Sequence, residues 1–95
     1  MSDAARPPAN ADESARIARI AARYARREHR WYARGKLRWD PVYRAVAPLF
    51  EQSSRPLLDV GCGLGLLGQY LRERGFRARY LGVDLDTRKM DLVPA

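Results

Sequence analysis

Between Asp12 and Arg34 apolar residues recur at helical spacing. At about 100° per residue, Ile17, Ile20, Ala21, Tyr24, Trp31 and Tyr32 form one stripe. Arg16, Arg19, Arg23, Arg26, Arg27, Arg30 and Arg34 form the stripe beside it. The pattern predicts one long amphipathic helix over 12–34, with Asp12 or Ser14 as N-cap, an Asp12 to Arg16 pair and Gly35 as the stop. Residues 35–40 read as a connector. Asp40-Pro41 then supplies an N-cap and a first-turn proline for a second helix carrying Val42, Tyr43, Val46, Leu49 and Phe50, which Pro48 should kink or end. The turn-forming cluster at 52–56 precedes the short apolar run 57–60, read as a buried strand, and a glycine loop. Leu66, Leu67, Tyr70 and Leu71 have helical spacing and Gly75 sits at a C′ position, so a third helix is expected over 65–74. A second strand over 78–83 ends in Asp84, and Asp86 caps a further helix that stops at Pro94.

Strand, glycine loop, helix and strand within about 30 residues make a βαβ unit with parallel strands and a right-handed crossover. The expected organisation is a disordered tail over 1–11, a helical lead-in over 12–54 and an α/β unit over 55–95. The tail carries no large apolar side chain beyond Met1. With 95 residues the chain has room for one small domain, burying only about 60 to 65 % of the surface of its unfolded form. No apolar run approaches the roughly 18 residues of a membrane span, and Asp3, Pro7 and Pro8 break any signal-peptide h-region. The expected location is therefore the cytoplasm. One cysteine, Cys62, and one histidine, His29, exclude an internal disulfide and make a structural metal site unexpected.

The net charge is +7, and eleven of the eighteen Lys and Arg residues lie in residues 1–50 against five of the eleven acids. An arginine-rich helix with Tyr24, Trp31 and Tyr32 interleaved could serve nucleic acid or an anionic surface, although a solvated helix face explains the same pattern.

Residues 57–68 read LLDVGCGLGLLG and hold two overlapping glycine fingerprints. From Gly63 the spacing is G-x-G-x-x-G (Gly63, Gly65, Gly68), the loop that holds a dinucleotide diphosphate at a helix N-terminus. From Asp59 it is D-x-G-x-G-x-G (Asp59, Gly61, Gly63, Gly65). A carboxylate about 4 Å from a phosphate repels it by roughly 1 kcal/mol in water and about 4 kcal/mol at an effective dielectric near 20. Asp59 at the strand end therefore disfavours a diphosphate and suits a cationic nucleoside such as S-adenosylmethionine. Asp84, at the tip of the second strand, is placed to accept both ribose hydroxyls and would repel the 2′-phosphate of NADP.

LLDVGCGLG followed by YLGVDLD resembles motifs I and II of the class I S-adenosylmethionine-dependent methyltransferases. The upstream YARGKLRWDPVYRAVAPLF is similar to the helical lead-in of bacterial small-molecule members. The resemblance covers roughly residues 31–90 and implies an α/β fold: N-terminal helices and then the first βαβ unit of a Rossmann-like sheet, truncated before the strands that carry the adenine contact and the substrate. It implies S-adenosyl-L-methionine as cofactor, with Asp59, Gly61, Cys62, Gly63 and Gly65 in the cofactor loop, Asp84 on the ribose and Leu85 against the adenine. Tyr32, Arg34 and Lys36 would reach the carboxylate end. The methyl acceptor would be a small molecule, the catalytic residues are unassigned, and such a half is expected to be inactive alone. Open sheet edges would favour self-association or a partner chain. A basic binding module for nucleic acid or anionic surfaces and an NAD-binding fragment are the alternative readings.

Overall fold

The computed structural model describes residues 11–94. Alanine and arginine, both good helix formers, build α1 at Ala11–Ala22, with Asp12 and Glu13 in the first turn where carboxylates suit the positive end of the helix dipole. Most of the expected tail, residues 1–10, lies outside the described residues, while Ala11 already belongs to α1.

The single helix expected over 12–34 is two. The chain breaks at residues 23–26 and restarts as α2, Arg27–Trp39. Burial is the reason: Tyr24 turns into the core, and its hydroxyl donates to the carbonyl of Leu64 at 2.7 Å. Arg30 donates to the carbonyls of Tyr24 (3.0 Å) and Ala25 (2.7 Å), satisfying acceptors that a helix end leaves open. Folding back lets Ile17, Ile20 and Ala21 of α1 share a core with Ala33 and Leu37 of α2, and helices of this length owe most of their stability to such packing. Trp31 and Tyr32, which periodicity placed on the apolar stripe, consequently face outward. Gly35 does not stop the helix; it lies exposed inside α2. The stop is Asp40, extended at φ −90° and ψ 114°, a conformation that Pro41 imposes on the residue before it.

Asp40 accepts the Val42 amide at 3.0 Å and so heads α3, Val42–Phe50. Pro48 lies within α3 rather than ending it. Strands β1 (Leu57–Val60) and β2 (Tyr80–Val83) pair in parallel, Leu57 opposite Tyr80 and Val60 opposite Val83. Helix α4, Leu66–Glu73, connects them. The single turn α5, Thr87–Met90, follows its N-cap Asp86, which accepts the Arg88 amide as expected. The fold is therefore α/β, with helices on a two-stranded parallel sheet.

Helix α4 sits centrally, with α1 and α3 both packed on it. The core consists of apolar side chains from all four long helices together with Tyr24 and Phe76, and Leu57 and Tyr80 pack against it from the sheet. The strand expected to be buried is buried on one face only. Leu58, Val60, Leu81 and Val83 lie exposed on the other, because no described helix covers it. Among the described residues no helix is long and apolar enough to cross a membrane.

The arginine stripe is in part a seam between helices. Arg19 donates to Glu73 Oε1 of α4 at 2.9 and 3.1 Å, and Arg23 bonds both Glu73 and Gln69. Glu13, buried beneath α1, accepts the Tyr70 hydroxyl at 2.8 Å and faces Arg16 and Arg44. Burial pushes the Glu73 carboxyl up, but the hydrogen bonds and charges of Arg19 and Arg23 outweigh it and hold the group below its ordinary value. A depressed carboxyl contributes stability that is fully present above the unfolded pKa, about 4.3, and fades as pH falls through the folded value. Glu73→Gln is expected to destabilise the fold at neutral pH by about 1 kcal/mol, a figure discounted for solvent around Arg19. The difference from the parent chain should shrink toward zero in urea melts repeated below pH 4.

Candidate functional site

Parallel pairing brings the carboxyl ends of both strands to one edge, the place where open parallel sheets receive ligands. Asp59, opposite Gly82, is the penultimate residue of β1, and Asp84 follows β2 directly. Between them runs the glycine loop. Gly61 and Gly63 adopt φ of 77° and 55°, and the space where a side chain would project from each is open.

The loop amides have internal partners. Those of Gly61 and Cys62 both donate to the Val83 carbonyl, at 2.7 and 2.9 Å, and that of Gly65 donates to the Cys62 carbonyl at 2.9 Å. The Gly63 amide donates to Asp84 Oδ2 at 2.8 Å, and the Asp86 amide donates to Oδ1 at 2.8 Å. These two backbone donors hold the Asp84 carboxyl below its ordinary value, so it stays ionised while each oxygen retains capacity for a further hydrogen bond.

Asp59 is positioned by Tyr80, whose hydroxyl donates to Oδ2 at 2.6 Å. Burial, followed by the bond to Asp59 and its charge, drives the Tyr80 phenol far up, which keeps it a proton donor. Gly68, the third glycine of the dinucleotide-like spacing, lies against the Tyr80 ring: a Cβ there would stand 2.6 Å from its nearest ring carbon. Its service in this fold is to let α4 approach β2.

Asp59, Gly61, Cys62, Gly63 and Asp84 line one cavity of about 420 Å³, together with Tyr32 and Lys36 of α2, Tyr43 of α3 and Lys89 of α5. That volume falls in the range of small-molecule sites. Five of the seven residues expected at the cofactor are thus brought together. Gly65 is not among them; it is buried at the head of α4 beneath Val93, whose Cγ1 lies 2.8 Å from where its Cβ would be. Leu85 stands fully exposed and does not line the cavity. Arg34 does not line it either; it lines the neighbouring recess along α2.

The Cys62 amide is held by the Val83 carbonyl. The thiol is pushed up by burial and by the charges of Asp59 and Asp84, the opposite of an activated nucleophile. Tyr43, Lys89 and Tyr80 were missed by sequence reasoning. Tyr43 read as one apolar position of a helix, and Lys89 carried no assignment. The period-2 spacing of Tyr80 and Gly82 was the one signal that both share a face of β2. Burial, then the charges of Tyr32, Asp40 and Asp59, push the Tyr43 phenol up to about 12, so it is a neutral donor at physiological pH. Lys36 is tied to Asp40 at 2.9 Å, whereas Lys89 acts on Asp84 through its charge. Among the described residues no three His, Cys, Asp or Glu side chains form a group that could hold a metal ion.

No protein-family model, curated protein or solved structure matches the chain.

Gly68→Ala should destabilise the fold by about 1 to 3 kcal/mol, as overpacking does. It should also turn Tyr80 away from Asp59, seen as a downward shift of the tyrosine absorbance titration. For Cys62, alkylation by iodoacetamide at neutral pH is expected to be slower than that of free cysteine, and to accelerate when Asp59→Asn and Asp84→Asn remove the neighbouring charges.

Proposed function

We propose that the cavity binds S-adenosylmethionine, and that the chain is the cofactor-binding part of a class I methyltransferase of Rossmann type acting on a small-molecule acceptor. The observation that carries this reading is the pair of carboxylates, Asp59 and Asp84, at one edge of parallel strands around a loop in which the Gly61, Cys62, Gly63 and Gly65 amides are engaged. A diphosphate placed there would meet two carboxylates, and the amides of Gly61, Cys62, Gly63 and Gly65 already have partners within the fold. A ligand with ribose hydroxyls, a sulfonium, an ammonium and one carboxylate finds complementary groups.

The residues divide the work by chemistry. Asp84 has unused acceptor capacity for the ribose hydroxyls, fixed in direction by the Gly63 and Asp86 amides. Asp59, held by Tyr80, places negative charge beside the cationic centre. Lys89, which forms no ion pair among the described residues, lines the same cavity and suits the amino-acid carboxylate, with Lys36, paired to Asp40, beside it. Gly61 and Gly63 leave room for the ligand to reach the backbone. Leu85, exposed just past Asp84, is free to cover the adenine. When bound, the cofactor supplies an electrophilic methyl group on sulfur. The protein's part is to orient it, exclude water and present the acceptor in line.

Calorimetry with S-adenosylhomocysteine, S-adenosylmethionine and NAD tests the reading. Both sulfur nucleosides are expected to bind and NAD not to. Asp84→Ala should weaken them about ten- to a hundredfold, the loss for hydrogen bonds to a charged acceptor. Tighter binding of NAD, or sulfur-nucleoside affinity indifferent to Asp84, would overturn it. The alternative basic module predicts affinity for nucleic acid that falls steeply with salt and survives Asp84→Ala. Arg16, Arg19, Arg23 and Arg30 are engaged within the fold and weaken that case.

A further inference from the structure

Both tryptophans of the chain stand outside the core. Trp31 and Trp39 are each 79 % exposed on α2, and Gly35 lies midway between them. Four residues of helix advance about 6 Å, so the two indoles are rooted about 12 Å apart along the axis with a side-chain-free position at the centre. The space above Gly35 is open, and the recess along this face measures about 650 Å³. Aromatic pairs prefer ring centroids about 4.5 to 7 Å apart, so a flat ring seated midway is within reach of both indoles.

The rim of the recess is cationic. Arg34 and Arg38 line it, and among the described residues neither forms an ion pair with a carboxylate, while Lys36 and Asp40 neutralise one another. Tyr32 and Lys36 line both this recess and the glycine-loop cavity, so the two are contiguous. A polymeric anion would need a basic track running on from the recess. The arginines that would extend it, Arg16 and Arg19 of α1 and Arg23 just after it, are turned into the seam with Glu13 and Glu73.

We propose that Trp31 and Trp39 clamp a flat aromatic anion of one or two rings over Gly35, its charge held by Arg34 and Arg38. Resting on the reading above, this is also the class of methyl acceptor delivered to the cofactor cavity.

Calorimetry with 2-naphthoate tests the clamp. The expected result is saturable binding that Trp31→Ala and Trp39→Ala each weaken about tenfold, the usual loss of one stacking partner. Gly35→Leu, which favours the helix and fills the gap, should weaken it as much without unfolding risk. Cyclohexanecarboxylate, with the charge but no flat ring, should bind more weakly. Asp84→Ala should leave naphthoate binding intact, and the tryptophan variants should leave S-adenosylhomocysteine binding intact, which separates failure of this site from failure of the cofactor site. Naphthoate affinity indifferent to both tryptophans and to Gly35→Leu overturns the clamp. So does a short oligothymidylate that binds more tightly than naphthoate and is lost in the same variants, which would make the face a nucleic-acid platform. Naphthoate binding without any S-adenosylhomocysteine binding supports the clamp and overturns its assignment to a methyl acceptor.

Discussion

The close approach of α4 to β2 is the constraint on which the rest of the molecule depends. Gly68 presents no side chain to the sheet, and the Tyr80 ring occupies the space that a Cβ would need. From there Tyr80 does two jobs: its ring joins the edge of the core, and its hydroxyl fixes Asp59 at the mouth of the glycine loop. Core packing and site geometry are therefore one arrangement. Two four-residue strands could not persist unsupported, because a parallel pair needs a helix across its face to bury apolar surface. Here α4 provides that cover on one side, and α1 and α3 bury the opposite side of α4.

The glycine loop is rigid by hydrogen bonding rather than by side-chain packing. The Val83 carbonyl takes two amides, Cys62 takes one, and Asp84 takes one from the loop and one from the turn beyond. Asp84 consequently links the end of β2 to the middle of the loop after β1. A side chain that satisfies local backbone donors while retaining acceptor capacity is pre-organised: its direction is set before a ligand arrives, so less ordering remains to oppose binding.

Charge is arranged by the same economy of position. The front half of the chain is strongly basic, yet α1 turns several of its arginines onto Glu13 and Glu73. Arg34 and Arg38, which form no ion pair among the described residues, lie on α2 beside two exposed indoles. Asp59 and Asp84 stand at the strand ends. The molecule thus carries a pocket lined by two carboxylates and two lysines next to a cationic aromatic shelf, with Tyr32 and Lys36 lining both.

Much of this was legible in the order of residues, because it depends on local chemistry. Helix periodicity over 66–73, the Asp40-Pro41 start of α3, the Asp86 cap and the strand-loop-helix-strand succession all follow from near neighbours. The two acids bracketing the glycines were readable for the same reason, since parallel strands joined by a short crossover put both carboxyl ends on one edge. What periodicity could not reveal was where a helix would fold back. Residues 12–34 satisfy a single helix as well as a hairpin, and only the burial of Tyr24, bonded to Leu64 forty residues on, decides for the hairpin. That decision turned Trp31 and Tyr32 outward and carried Tyr32 and Lys36 to the pocket. Contacts between distant residues set these outcomes, and local propensity contains no information about them.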